Sequence, residues 1–84
     1  MRYEKFEEPI EVIVHFTGAG IKPLRFLWQG VAHRVENVRG RWTTWDGLKQ
    51  CRHFAINAGG VGNCEIAFNV DTMKWQIDTV IIDN

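Results

Sequence analysis

Apolar and polar side chains alternate along most of this chain with a period of two residues. In residues 10–16, for example, Ile10, Val12 and Val14 fall on one face, whereas Glu11 falls on the other. A strand with one buried face shows this period, while a helix repeats its apolar positions every three or four residues. The helical period is nearly absent from the chain, so the sequence predicts an all-β fold.

Six segments carry the alternation clearly enough to be predicted as strands. They cover residues 10–16, 24–29, 31–38, 51–57, 63–70 and 74–82. Short connections with turn-forming residues favour hairpins, so the predicted topology is an antiparallel meander of five or six strands. A flat sheet would leave large apolar side chains in water. Curling into a small, partly closed barrel would bury them and cover the sheet edges, and dimerisation is the alternative.

The turns also predict which residues lie opposite each other. A two-residue turn at Gln29 and Gly30 pairs the second and third strands. A loop centred on Gly60 pairs the fourth and fifth strands, and a turn at residues 71–72 pairs the last two. The expected pairs are Trp28 with Val31, Phe26 with His33, Leu24 with Val35, Phe54 with Ile66, Ile56 with Cys64, Arg52 with Phe68, Cys51 with Asn69, Phe68 with Trp75, Ile66 with Ile77 and Cys64 with Thr79.

The same alternation predicts the core. On the second strand, Leu24 is expected to share the buried face. Residues 37–50 fit no single register: the Asp46-Gly47 pair indicates a turn, and a short helical turn after Thr44 is the alternative. The expected core residues are Phe26, Trp28, Val35, Phe54, Ile66, Phe68, Trp75 and Ile77.

The chain has 84 residues, which is enough for one domain. Residues 1–8 precede the first predicted strand and are expected to form a looser N-terminal segment. The first residues contain no apolar stretch of signal-peptide length, and no apolar run reaches the roughly 20 residues of a membrane helix. Both observations favour a cytoplasmic protein without membrane contact. In that compartment Cys51 and Cys64 are expected to remain free thiols.

The residue types that most often carry catalysis show no working arrangement. His15, His33 and His53 lie on three different predicted strands without a carboxylate or thiol at a ligand spacing, so no metal site is predicted. Cys51 and His53 share a strand face but lie roughly 7 Å apart along it, and no third group orients them. The Gly-Ala-Gly segment before residue 21 lacks the helix that a dinucleotide site needs. The sequence therefore predicts neither enzymatic activity nor a cofactor.

Charge is distributed unevenly, although the formal net charge is zero. Residues 22–53 carry seven Lys or Arg against two acidic residues, a net charge of +5, and hold three of the four tryptophans. Proteins that bind single-stranded nucleic acid combine cations for phosphates with rings for bases. The alternative is that the tryptophans build the core and the arginines solvate the outer face. The candidate surface for nucleic acid or a partner consists of Arg25, Arg34, Arg39, Arg41, Trp42, Trp45 and Arg52.

Residues 23–30 read Pro-Leu-Arg-Phe-Leu-Trp-Gln-Gly and residues 33–35 read His-Arg-Val. Together they resemble a recurring bacterial pattern. Trp42, Arg52-His53-Phe54, Gly62, Glu65 and Trp75 follow in the order of that pattern. Over about residues 22–82 the chain resembles a family of short uncharacterised bacterial proteins. It is also similar to the C-terminal domain of catalytically inactive polymerase-like proteins of the mutagenesis response. The resemblance implies an accessory domain without known catalytic residues and an association with DNA repair. The family usually has an aromatic residue where this chain has His53.

Two functions remain open. The first is a protein-interaction module that offers a sheet edge or an exposed tryptophan face to a partner or to a second copy of the chain. The second is a nucleic-acid-binding module that uses the basic middle third. Salt distinguishes them, because binding driven by phosphate contacts weakens steeply as salt rises.

Overall fold

The computed structural model describes residues 2–82, which form six antiparallel strands in a meander. Each strand pairs with the next, and the first also pairs with the last, so the strands form a closed ring. The all-β meander predicted from the alternation is confirmed. No helix in this part of the chain is long and apolar enough to cross a membrane. The strands are β1 (Arg2–Thr17), β2 (Gly20–Trp28), β3 (Val31–Asp46), β4 (Lys49–Ala58), β5 (Gly62–Asn69) and β6 (Lys74–Ile82).

The apolar core lies inside this ring, and the predicted core residues are confirmed. Five of the eight are buried, and the other three, Trp28, Val35 and Trp75, pack against them. Burial of apolar side chains from β1, β2, β4, β5 and β6 explains why the ring holds together, since apolar burial is the main favourable term in folding. Further buried side chains complete the core: Ile10, Ile21, Pro23, Ile56, Ala58 and Cys64.

Most of the predicted registers are confirmed. The turn at Gln29 and Gly30 has positive φ at both residues, 52° and 77°, as a tight hairpin turn requires. The β4–β5 ladder follows the predicted register over its whole length. The confirmed pairs are Trp28 with Val31, Phe26 with His33, Phe54 with Ile66, Ile56 with Cys64, Arg52 with Phe68, Cys51 with Asn69, Phe68 with Trp75 and Ile66 with Ile77.

In β6 the predicted register is wrong beyond Ile77. Cys64 faces Val80 rather than Thr79, because a bulge shifts the β5–β6 ladder at this point. The bulge leaves Asp78 as an extra residue without a partner on β5. A bulge of this kind re-aims a side chain and increases the local twist.

The prediction that Leu24 belongs to the buried face is also wrong. A bulge in the β1–β2 ladder leaves Leu24 without a partner on β1 and 38% exposed, and Pro23 is buried instead. Leu24 does not face Val35 either, because the β2–β3 ladder ends at Arg25 opposite Arg34.

The largest extensions beyond the predicted strands are in β1 and β3. Residues 2–8 lie in β1, where all but Phe6 and Glu7 pair with β6 instead of forming a looser segment, and residue 1 lies outside the described range. The third strand continues to Asp46 and turns back through Gly47, with φ 61°, to Lys49. The helical turn considered after Thr44 is therefore wrong, and the turn at the Asp46-Gly47 pair is confirmed.

Candidate functional site

A gap separates parts of β2 and β3. The ladder between these strands contains four residue pairs, all next to their turn. Among the described residues, 20–23 of β2 pair only with β1, and 35–46 of β3 pair only with β4. We call the gap between these two segments the seam. It is bounded by two strand edges that lack backbone pairing.

Bulges in β3 explain why the two strands separate. The β3–β4 register shifts twice, which leaves Glu36 and Arg39 as extra residues on β3. Each bulge bends its strand and adds twist. Two bulges close together therefore turn β3 away from β2, and β3 follows β4 instead.

The Arg41 side chain crosses the seam. Its Nη1 donates a hydrogen bond to the Ile21 carbonyl oxygen at 2.6 Å, and its guanidinium carbon lies 5.6 Å from the centre of the Phe54 ring. Two cavities of about 220 and 270 Å³ lie along the seam, and Arg41 lines both. Arg52 lines the first cavity and Lys22 the second. No acidic side chain of residues 2–82 lines either cavity, so the seam is a basic groove.

The β3–β4 hairpin extends beyond the β4–β5 ladder, which ends at Cys51 opposite Asn69. Near its tip two large apolar side chains are exposed, Trp45 to 63% and Leu48 to 95%. Single exposed apolar residues are common, but large ones gathered at one end of a domain are typical of a binding surface. The hairpin is therefore a second feature of the candidate site.

Where the hairpin leaves the sheet, His53 connects several polar side chains on the outer face. Its ring stacks on Trp42, with the centroids 5.2 Å apart and the planes 6° apart. Its Nε2 lies 2.7 Å from Thr44 Oγ1, and its Nδ1 lies 3.7 Å from Asp78 Oδ2. Gln76 donates a hydrogen bond to the other oxygen of Asp78.

The order of hydroxyl, imidazole and carboxylate in this cluster is that of a nucleophilic triad. However, the distance between Asp78 and His53 exceeds that of a hydrogen bond. Thr44 lies in the β3–β4 ladder opposite Cys51, not on the sharp turn that presents a nucleophilic serine in hydrolases. We therefore interpret the cluster as a support that fixes Trp42 beside the first cavity.

The two thiols are free and lie in different surroundings. Burial raises the pKa of Cys64 to about 12, with Arg39 opposing the rise and Glu65 adding to it. For Cys51, partial burial and then the Asp78 carboxylate raise the pKa above its ordinary value. The nucleophilic form of cysteine is the thiolate. Both thiols therefore remain in their poorly nucleophilic form at neutral pH.

The structure divides the candidate surface that the sequence suggested. Arg41, Trp42 and Arg52 line one cavity of the seam. Sequence reasoning missed Lys22 as their neighbour, because the charge count did not show where β2 and β3 separate. The remaining residues lie elsewhere: Arg25 opposite Arg34 in the β2–β3 ladder, Arg39 at a bulge of β3 and Trp45 near the hairpin tip.

The chain matches no family model, no curated protein and no solved structure. Within residues 2–82, His, Cys, Asp and Glu side chains form no group of three or more that could hold a metal ion. Function therefore has to be inferred from the site itself.

Proposed function

We propose that this domain is a protein-interaction module that binds an extended segment of a partner protein in the seam and catalyses no reaction. One observation carries the proposal: residues 20–23 of β2 and 35–46 of β3 each have an edge without backbone pairing. An unpaired strand edge is a template for an added strand. In this binding mode, main-chain hydrogen bonds supply affinity and alternate side chains supply specificity.

The Ile21 carbonyl supports the proposal, because its hydrogen bond is directed across the seam and away from β1. Its partner in the free protein is the Arg41 guanidinium rather than a backbone amide. The amide of an incoming strand can take the place of this side chain. Since one hydrogen bond replaces another, the exchange leaves no buried acceptor unsatisfied.

The hairpin provides a contact surface beside the same edge. Trp45 lies on β3 itself, four residues after Arg41, and its ring is largely exposed. Tryptophan is enriched among the residues that contribute most to protein–protein affinity. A segment paired with the edge of β3 would therefore also reach an apolar anchor.

An NMR titration of the isotope-labelled protein with a capped octapeptide of alternating serine and valine tests the proposal. This peptide is neutral and extended, so it offers main-chain hydrogen bonds without charge. Main-chain hydrogen bonds contribute only about 1 kcal/mol each and association has its own entropic cost, so we expect a dissociation constant on the order of 1 mM or above. We expect the amide signals that shift to fall in residues 20–22, 24 and 35–46, since Pro23 has no amide proton.

The matched control is the same peptide with an N-methyl group on every second amide, because it cannot form the ladder. Replacing Trp45 by Ser is expected to weaken binding. Replacing Tyr3, which is also 63% exposed, by Ser is expected to leave binding unchanged. Equal binding of the methylated peptide, or shifts confined to residues outside the seam, would show that the proposal is wrong.

Nucleic-acid binding is a second candidate, because Trp42, 41% exposed, lines the same cavity as Arg41 and Arg52. A base can stack on an exposed ring while cations bind its phosphates. A titration with an oligothymidine of about eight nucleotides at about 50 and 300 mM NaCl tests this function. Nucleic-acid binding predicts that the NMR signals of Trp42 shift at the lower salt concentration and no longer shift at the higher one. A spectrum without shifts at the lower concentration would remove this candidate.

The family resemblance adds a biological setting to the proposal. It implies an accessory role in DNA repair, and on that resemblance alone we propose that the partner belongs to the mutagenesis response. Cells that lack this chain are then expected to show fewer mutations after DNA damage. An unchanged mutation frequency would contradict this setting without affecting the peptide-binding proposal.

A further inference from the structure

We infer that the partner segment bound in the seam is acidic. This inference rests on the proposed function, because it specifies the chemistry of the segment that the two strand edges would pair with. Three cations line the two cavities of the seam: Lys22 on β2, Arg41 on β3 and Arg52 on β4. No carboxylate of the described residues lines the same cavities. The charge of the groove is therefore complementary to an anionic chain.

The seam cations are not neutralised by the rest of the described chain. Within residues 2–82, the single close contact between a basic and an acidic side chain joins His53 and Asp78, 3.7 Å apart. Lys22, Arg41 and Arg52 therefore have no carboxylate partner there. Like charges around one groove repel each other, and carboxylates of a bound segment would relieve this repulsion. Such complementarity favours the right partner and speeds encounter.

Arg41 links strand addition to charge recognition. In the free protein its guanidinium donates to the Ile21 carbonyl across the seam. When the backbone amide of an incoming strand donates to the Ile21 carbonyl instead, the Arg41 guanidinium loses this acceptor and lies beside the new strand. A guanidinium binds a carboxylate through two parallel hydrogen bonds. Alternate side chains of a strand point to the same side, so acidic residues at every second position would meet Arg41 and Arg52, which share one face of the β3–β4 ladder.

A polypeptide fits the seam better than a nucleic acid does. The edges of β2 and β3 offer backbone donors and acceptors in a strand geometry, which a peptide can match and a sugar-phosphate chain cannot. On the outer face, one side of the Trp42 ring is already covered by His53. Asp78 lies 3.7 Å from His53, and its carboxylate would repel a phosphate backbone bound there.

Calorimetric titrations with four probes test the inference at about 50 and 300 mM NaCl. The probes are capped octapeptides in which valine alternates with glutamate, serine or lysine, and an oligothymidine of about eight nucleotides. We expect the glutamate peptide to bind about tenfold more tightly than the serine peptide at low salt, because a few exposed ion pairs add to the same ladder. The lysine peptide should bind more weakly than the glutamate and serine peptides. The higher salt concentration should reduce the differences in affinity among the three peptides.

Two variants that each remove one positive charge test which seam cations bind the glutamate peptide. Lys22→Gln and Arg52→Gln should lower the affinity for the glutamate peptide and leave that for the serine peptide unchanged. Arg34→Gln, which removes an exposed cation from the β2–β3 ladder, serves as the matched control and should change neither. All three substitutions concern exposed side chains, so we expect the folded state to be preserved.

The outcomes separate the inference from the proposed function. Equal affinities for the glutamate and serine peptides would overturn the inference and leave the proposed function intact. Binding of no peptide would overturn both. If the oligothymidine binds more tightly than the glutamate peptide, and N-methylation of that peptide has no effect, the seam is a site for polyanions and not for an acidic strand.

Discussion

Arg41 Nη1 donates a hydrogen bond to the Ile21 carbonyl oxygen, 2.6 Å away, at a point where β2 and β3 share no backbone pairing. A side chain thus replaces the ladder that joins neighbouring strands elsewhere in the ring. The same guanidinium lies over the Phe54 ring. Arg41 therefore links the two sides of the seam to the core beneath it, and it does so through a bond that a bound strand can replace.

Replacing Arg41 by Met is expected to destabilise the domain by about 1 kcal/mol. The variant keeps an apolar side chain over Phe54 but loses the hydrogen bond to Ile21 and the cation above the ring. Urea unfolding followed by tryptophan fluorescence measures the change. Arg34→Met, an exposed position in the β2–β3 ladder, is the control and should change the free energy of unfolding by less than about 0.5 kcal/mol. Equal effects of the two substitutions would contradict a linking role for Arg41.

The buried Cys64 thiol is expected to make the domain less stable in alkali. Its pKa is about 12 in the folded state, above the ordinary value of 9.0, so the unfolded chain ionises first. The stability that depends on the neutral thiol is complete below pH 9.0 and is lost as the pH rises from 9.0 to about 12. The free energy of unfolding should fall by up to about 1.4 kcal/mol per pH unit from this group.

Urea unfolding of the wild type and Cys64→Ala between pH 8 and pH 11 measures this contribution. The variant should show a flatter pH dependence, whatever its stability at neutral pH. Cys51→Ala is the matched control, since Cys51 is only partly buried and should change the slope less. Parallel pH profiles for the wild type and Cys64→Ala would contradict the conclusion that the Cys64 thiol lowers stability in alkali.

Met73 is expected to be a site where one substitution stabilises the domain. Its φ is 60°, in the left-handed region, and its side chain is 67% exposed. Asparagine tolerates this backbone conformation better than other non-glycine residues do. Met73→Asn should therefore raise the free energy of unfolding by about 0.5 kcal/mol. The same substitution at the neighbouring Thr72, whose φ is not positive, should give no gain, and a gain at both positions would exclude relief of backbone strain as its cause.

Leu24 and Ile66 provide a test of the β2 bulge. Both substitutions to Ala remove three carbon atoms, but Ile66 is fully buried and Leu24 is 38% exposed. Ile66→Ala should cost about 3 kcal/mol of stability, and Leu24→Ala less than about 1 kcal/mol. Urea unfolding of both variants measures the difference. Equal losses would mean that Leu24 points into the core, as strict alternation predicts.

Part of the strand pairing could be predicted from the sequence, and part could not. Alternation and turn residues were sufficient for the strand order and for the β4–β5 register, because each residue there has one partner on the neighbouring strand. They failed at Leu24 and beyond Ile77, where a bulge inserts one extra residue and reverses the alternation. A bulge depends on how neighbouring strands twist and pack, and the local pattern of side chains does not report it.

The candidate site was accessible from the sequence only in part. An excess of cations in the middle third led to Arg41, Trp42 and Arg52, which line one cavity. The seam itself arises because two bulges carry β3 away from β2, and no residue type marks such a separation. Lys22 belongs to the site because it lines the second cavity, on the β2 side of this separation. The residue pattern of β2 did not predict that position.

Hydrogen exchange of the backbone amides of β3, with and without the bound glutamate peptide, tests the central claim most directly. If the seam edge of β3 is unpaired, about every second amide in residues 37–45 exchanges rapidly in the free protein, while the amides directed towards β4 exchange slowly. Peptide binding should then slow the rapid set and leave the other set unchanged. Slow exchange of both sets in the free protein, or rapid exchange that persists at saturating peptide, would contradict the account of the seam as a site for an added strand.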